Sequence, residues 1–188
     1  MVINWLNILV RSFLPPCLLA FSLSVSSADS DFFMQVNTND VMQKTEPVLA
    51  PELLLTDLNK QEVKPAYTNQ VTLVHFWASW CLPCRKELPL IEKLQRDYHQ
   101  QTAFKIVTIA ADSYKNIKRY KYDNQVLLPI LIDQYGKAMR VYQVKTLPSS
   151  YLIDTQGKIR YLTETSIDWS DTYVRDKIDT LLSEKNRI

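Results

Sequence analysis

Two thiols at three-residue spacing, Cys81 and Cys84, have the plainest capacity for chemistry in this chain; they stand in Phe76-Trp77-Ala78-Ser79-Trp80-Cys81-Leu82-Pro83-Cys84. The apolar run Val71-Thr72-Leu73-Val74-His75-Phe76-Trp77 before them reads as a buried strand, and residues 85–101 after them read as a helix. A cysteine at a strand-to-helix junction lies at the helix N-terminus, where free N–H groups and the helix dipole favour thiolate. Thiolate is the nucleophile of disulfide exchange. The third cysteine, Cys17, falls in an N-terminal segment with the character of an export signal. Without that segment Cys81 and Cys84 have no other thiol to pair with, so they form either a mutual redox pair or half of a metal site.

A metal site needs two further ligands, and His75 and His99 are the only histidines, at spacings unlike a zinc finger. No metal or cofactor is therefore expected. Gly136 and Gly157 are the only glycines, which excludes a glycine-rich phosphate loop. A formal net charge of +2 argues against a large polyanion-binding surface, so no nucleic-acid partner is expected. The run Lys115, Lys118, Arg119 and Lys121 reads as the solvated face of a short helix.

The 188 residues are enough for one domain with a sizeable core. In residues 1–28, Arg11 precedes an apolar stretch ending in Ser26-Ser27-Ala28, which suits a signal peptide cleaved before Asp29. An uncleaved anchor is the rival, although Arg11 and Pro15-Pro16 make a poor membrane helix. Pro16 before Cys17 argues against lipidation there. Residues 29–47 are polar and without period, and read as a linker or lead-in. Residues 48–188 form the folded domain. Within it, 53–63 reads as a hairpin turning at Asn59-Lys60, 104–111 as a strand, 114–123 as a helix capped by Ser113, and 127–132 as a strand. Residues 136–143 look helical, 149–154 and 158–163 pair around Gly157, and 169–184 is a closing helix. Pro89 predicts a kink in the long helix. Strands alternating with helices and ending in a hairpin and helix predict a mixed α/β sandwich.

That order, with the two cysteines opening the first long helix, resembles the thioredoxin fold, a mixed central sheet flanked by helices. More narrowly, the chain resembles the TlpA/ResA group of exported thiol–disulfide oxidoreductases, which includes the cytochrome c maturation thioredoxins. Glu87 and Pro89 follow Cys84 as in that group's CxxCxxExP pattern; residues 113–132 match its helix–strand insertion. Leu147-Pro148-Ser149-Ser150-Tyr151-Leu152-Ile153-Asp154 is similar to its G-x-P-T-T-F-L-I-D segment, whose proline is cis.

The resemblance implies a Cys81–Cys84 disulfide, with Cys81 as exposed nucleophile and Cys84 as resolving thiol. It implies a substrate-binding surface from Trp80, Leu82, Pro83, Leu147 and Pro148, and a carboxylate at Glu87 that tunes the thiols. Glu87 also has the plainer reading of an exposed helix residue paired with a nearby Lys or Arg. Thr146 stands where many relatives have Gly, and His75 where thioredoxins carry a buried Asp. His75 is either a proton relay for Cys84 or a buried histidine satisfied by a backbone carbonyl. The activity implied is reduction of disulfides in exported proteins, apocytochrome c among them, with electrons from a membrane thiol transporter. The implied location is the periplasm, soluble after signal cleavage or tethered to the inner membrane. A disulfide-forming oxidant is the nearest rival, and a metal carrier or redox-inert adaptor the more distant ones.

Overall fold

The computed structural model describes residues 42–185; residues 1–28, the expected signal, and most of the expected lead-in lie outside the described residues. Eight strands and four helices follow in the order β1 (Gln43–Leu49), β2 (Leu55–Asp57), β3 (Glu62–Val63), β4 (Val71–Trp77), α1 (Leu82–Asp97), β5 (Phe104–Ala110), α2 (Tyr114–Asp123), β6 (Ile130–Ile132), α3 (Lys137–Val141), β7 (Ser149–Ile153), β8 (Lys158–Thr163) and α4 (Thr172–Lys185). The strands form one sheet in the order β1-β8-β7-β4-β5-β6-β2-β3.

The central strand explains itself. All seven residues of β4 are buried, as a continuous apolar run requires when both sheet faces are covered. It runs parallel to β5 and antiparallel to β7. Because side chains alternate across a strand, Val71, Leu73 and Trp77 enter the core beneath α1 and α4, with Ile91, Leu94, Ile178 and Leu181. Val74 and Phe76 enter the opposite core, with Tyr142, Tyr151 and Ile153. His75 therefore lies on the α1 side of the sheet. The register sets Thr163, Ser150, His75 and Thr108 side by side across β8, β7, β4 and β5, a buried polar row in an otherwise apolar layer.

The structure refines the sequence expectations at several elements. Residues 43–47, expected as lead-in, are part of β1, an edge strand paired with β8; its register shifts between Lys44 and Val48, around Pro47. The first helix begins at Leu82 and ends at Asp97, three residues before and four residues short of the expected span. Pro89 sits within it and the helix runs on through that position. The 53–63 hairpin turns at Lys60, whose φ is 62°, and joins the outer edge of the sheet beside β6. The strand expected at 127–132 is confined to Ile130–Ile132.

Candidate active site

After Trp77 the chain turns tightly, with the Cys81 N–H donating to the Ala78 carbonyl at 3.1 Å. Cys81 is the N-cap of α1, extended at φ −80° and ψ 104°. Its sulfur accepts the Cys84 N–H at 3.3 Å, an interaction that serves an N–H the helix itself cannot satisfy. Leu82 and Pro83 open the helix, and Pro83 lacks an N–H only where none is needed. Cys81 and Cys84 are joined as a disulfide, with Cα atoms 5.3 Å apart.

The two sulfurs are not equally placed. Cys84 is wholly buried within the α1-side core, whereas Cys81 keeps 5% exposure. Cys81 is thus the more accessible of the two sulfurs, but it is not the exposed nucleophile expected. Its neighbours Trp80 and Leu82 are 69% and 58% exposed, an apolar surface flanking the disulfide. Leu147–Pro148 is a cis peptide bond. β7 begins at the next residue, with Ser149 opposite Phe76, so Pro148 lies across from Trp77 at the same end of the sheet as the cysteines. Pro148 is buried, and Leu147 packs against both cores. Ser149 Oγ donates to the Thr146 carbonyl at 2.8 Å, which secures the loop at the position of that residue.

Beneath the disulfide lies a pair of buried ionisable groups. Glu87 follows Cys84 by three residues, on the same face of α1. It is 2% exposed, so the reading of an exposed residue in a surface ion pair does not hold. One oxygen accepts the Ile167 N–H at 2.5 Å; the other, otherwise unpartnered, faces His75 Nε2 at 3.8 Å. Burial pushes the Glu87 carboxyl above its ordinary range, against the opposing pull of the Ile167 N–H and of Ser166 and Trp169. His75 is wholly buried, with Nδ1 2.9 Å from Ser150 Oγ and its ring edge-on to Trp169. Its partner is a serine hydroxyl, not the backbone carbonyl expected, because β7 sets Ser150 directly across from it. Burial lowers its pKa to about 3, so the imidazole is neutral at neutral pH.

Sequence reasoning missed Ser150, Trp169 and Asp112. Asp112 Oδ2 accepts Ser79 Oγ–H at 2.5 Å, and Oδ1 accepts the Ser113 N–H and Asn116 Nδ2–H. Burial pushes Asp112 up, but these hydrogen bonds outweigh it and hold its carboxyl below the ordinary range. They join the turn before Cys81 to the start of α2. The only local signal was Asp112-Ser113 ahead of the capped helix; the Ser79 partner is 33 residues away. Among the described residues no three His, Cys, Asp or Glu side chains gather as a metal site would require.

The sequence and the fold have parallels among known proteins. The chain is 30% identical over 121 residues to sporulation thiol-disulfide oxidoreductase A of Bacillus subtilis, covering 62% of this chain and 73% of that one. It is 29% identical over 112 residues to thiol-disulfide oxidoreductase ResA of Geobacillus thermodenitrificans, covering 59% and 64%. A solved structure described as a thiol:disulfide interchange protein DsbE, from Chlorobium tepidum, superposes with a TM-score of 0.68 at 26% identity, covering 74% of this chain and 99% of that one. A thioredoxin-fold thiol–disulfide oxidoreductase is the class that these relatives and the site define. Residues 48–162 match the AhpC/TSA family, and the chain belongs to that family, on its ResA-like thiol–disulfide oxidoreductase side.

Proposed function

We propose that this protein reduces disulfides of exported proteins, with Cys81 as nucleophile and Cys84 as resolving thiol. The Cys81 thiolate attacks one sulfur of a substrate disulfide, forming a mixed disulfide and releasing the other substrate sulfur as thiolate. Cys84 then attacks the Cys81 sulfur, which releases the second substrate thiol and leaves the Cys81–Cys84 disulfide. Two electrons pass to the substrate, and a dithiol donor must return them. A membrane thiol transporter is the donor proposed, and apocytochrome c is among the substrates, by resemblance to the ResA-like relatives. The observation carrying this reading is the position of Cys81 at the N-cap of α1, where its sulfur already accepts a helix N–H.

Glu87 is proposed as the group that takes and returns the Cys84 proton, since it lies one turn along α1 and burial keeps its proton affinity high. His75, held neutral by burial, serves as the neutral wall that Glu87 faces. Trp80, Leu82, Pro83, Leu147 and Pro148 are proposed to hold an extended substrate strand beside the sulfurs. When ionised, the Glu87 carboxyl one turn from Cys84 opposes a thiolate there, which disfavours the reduced form and supports the reducing direction. The protein is proposed to work in the periplasm, freed by cleavage before Asp29 or tethered by residues 1–28. No helix among the described residues is long and apolar enough to cross a membrane.

The test is the equilibrium reduction potential of the Cys81–Cys84 pair in defined thiol buffers. A value near about −270 mV, that of thioredoxin, supports a reductase, and one near about −120 mV would make the protein a disulfide donor instead.

A further inference from the structure

The flank of the active-site helix carries positive charge that the fold does not use. Arg85 and Lys86 follow Cys84 directly, both exposed, and the first turn of α1 contains no acidic side chain. Cations at that end oppose the helix dipole, so they weaken the helix rather than support it. The first turn of α2, which starts from the same edge of the sheet, also lacks an acidic residue and carries exposed Lys115.

Between the two helices lies a recess of about 290 Å³ lined by Ser79, Arg85, Asn116, Arg119, Tyr120 and Asp123, among others. The Arg85 guanidinium lies over the Tyr120 ring at 5.6 Å, which holds it at the wall of the recess. Among the described residues Arg85 has no carboxylate partner. The two acids nearby are already engaged. Asp112 accepts hydrogen bonds from Ser79, Ser113 and Asn116, and Asp123 pairs with Arg119 at 3.4 Å. Among the described residues the one carboxylate lining the recess, Asp123, pairs with Arg119, which leaves the Arg85 guanidinium without one.

The recess also adjoins the reacting sulfur. Ser79 precedes Cys81 by two residues, and Arg85 follows it by four, its N–H bonded to the Cys81 carbonyl at 3.1 Å. A side chain entering the recess therefore belongs to a segment lying across Cys81.

We infer that this recess receives an Asp or Glu side chain of the substrate polypeptide, close in sequence to the cysteine being exchanged, with Arg85 as its partner. The planar guanidinium suits a carboxylate, which it can bind through two parallel hydrogen bonds. The inference rests on the exchange reading above and adds to it a preference for acidic surroundings of the target cysteine.

Three synthetic peptide disulfides, identical except for Glu, Gln or Lys flanking the cysteine, test it against the reduced protein by stopped-flow fluorescence. At low ionic strength the Glu peptide reacts about threefold to tenfold faster than the Gln peptide and the Lys peptide slower; at about 0.5 M salt the difference collapses. In Arg85→Gln the Glu-to-Gln rate ratio falls to about one, with little change in thermal stability, since relief of the charge opposing the helix dipole offsets the lost contact with the Tyr120 ring. Reading the ratio within each protein cancels any change in thiol reactivity. Lys93→Gln, farther along α1 where Lys93 pairs with Asp97, keeps the wild-type ratio. Equal rates for all three peptides, or a preference that survives in Arg85→Gln, overturns the inference while leaving the exchange reading standing. No exchange with any peptide overturns both.

Discussion

Replacing His75 by Asn tests the electrostatics of the buried layer beneath the disulfide. His75 is wholly buried, and burial alone lowers its pKa from 6.5 to about 3. The folded protein therefore resists a proton that the unfolded chain accepts, so stability present above pH 6.5 is lost as pH falls towards 3. Between pH 7 and pH 4 that loss comes to about 3 kcal/mol for the shift cited. Asn cannot take up the proton, so the variant escapes the loss. It leaves a void of about 40 Å³, which at about 24 cal/mol per Å³ costs about 1 kcal/mol at every pH. Two groups bear on the comparison: Glu87, facing from α1, and Ser150, bonded from β7. Ser150 does not titrate in this range. Glu87, with its raised pKa, contributes in the opposite sense, its stabilisation present at acid pH and lost as pH rises, and it is common to both proteins. Urea unfolding of the oxidised forms at pH 7 and pH 4 should thus show the curves crossing: the variant less stable by about 1 kcal/mol at pH 7 and more stable by about 2 kcal/mol at pH 4. Parallel pH dependences would refute the reasoning, since His75 would then titrate alike in the folded and unfolded states.

Cys84→Ser should trap substrates as mixed disulfides through Cys81, recoverable from a periplasmic extract and released by dithiothreitol; recovery of no adducts counts against the exchange mechanism. Glu87→Gln keeps an acceptor for the Ile167 N–H but cannot carry a proton, so peptide exchange should slow by about a hundredfold with its pH profile flattened; an unchanged profile removes Glu87 from proton transfer. The same variant should be more stable than wild type at pH 8 and gain less on acidification, because a carboxyl with raised pKa destabilises the fold once ionised. Ile91→Ala, at a wholly buried position of α1, should cost about 2 to 5 kcal/mol in denaturant unfolding.

Legibility in the sequence follows the range of the interactions. Cys81, Leu82, Pro83 and Cys84 form their cap and disulfide within four residues, so spacing placed them at the helix start, and the family resemblance implied the disulfide between them. The same holds for β4, whose burial on both faces is written in its composition, and for the turn at Asn59-Lys60. β1 was missed because Gln43–Leu49 has no strand period and its backbone is satisfied by β8, more than a hundred residues later. Glu87 had two readings on the helix surface, and packing of α1 onto β4 decided for the buried one. Ser150 acquired its place beside His75 from the antiparallel register of β7 on β4, and Asp112 found Ser79 only because α1 and α2 start from one edge of the sheet. Arg85 has no carboxylate partner among the described residues, and its recess, made by two helices, is likewise visible only in the fold. The sequence by itself determined the Cys81–Cys84 pair at the head of α1 and the class of chemistry, since cap and pair form within one helical turn. The tertiary structure decided which charges are buried, which are satisfied and which remain open to a partner, because desolvation and pairing depend on neighbours distant in the chain.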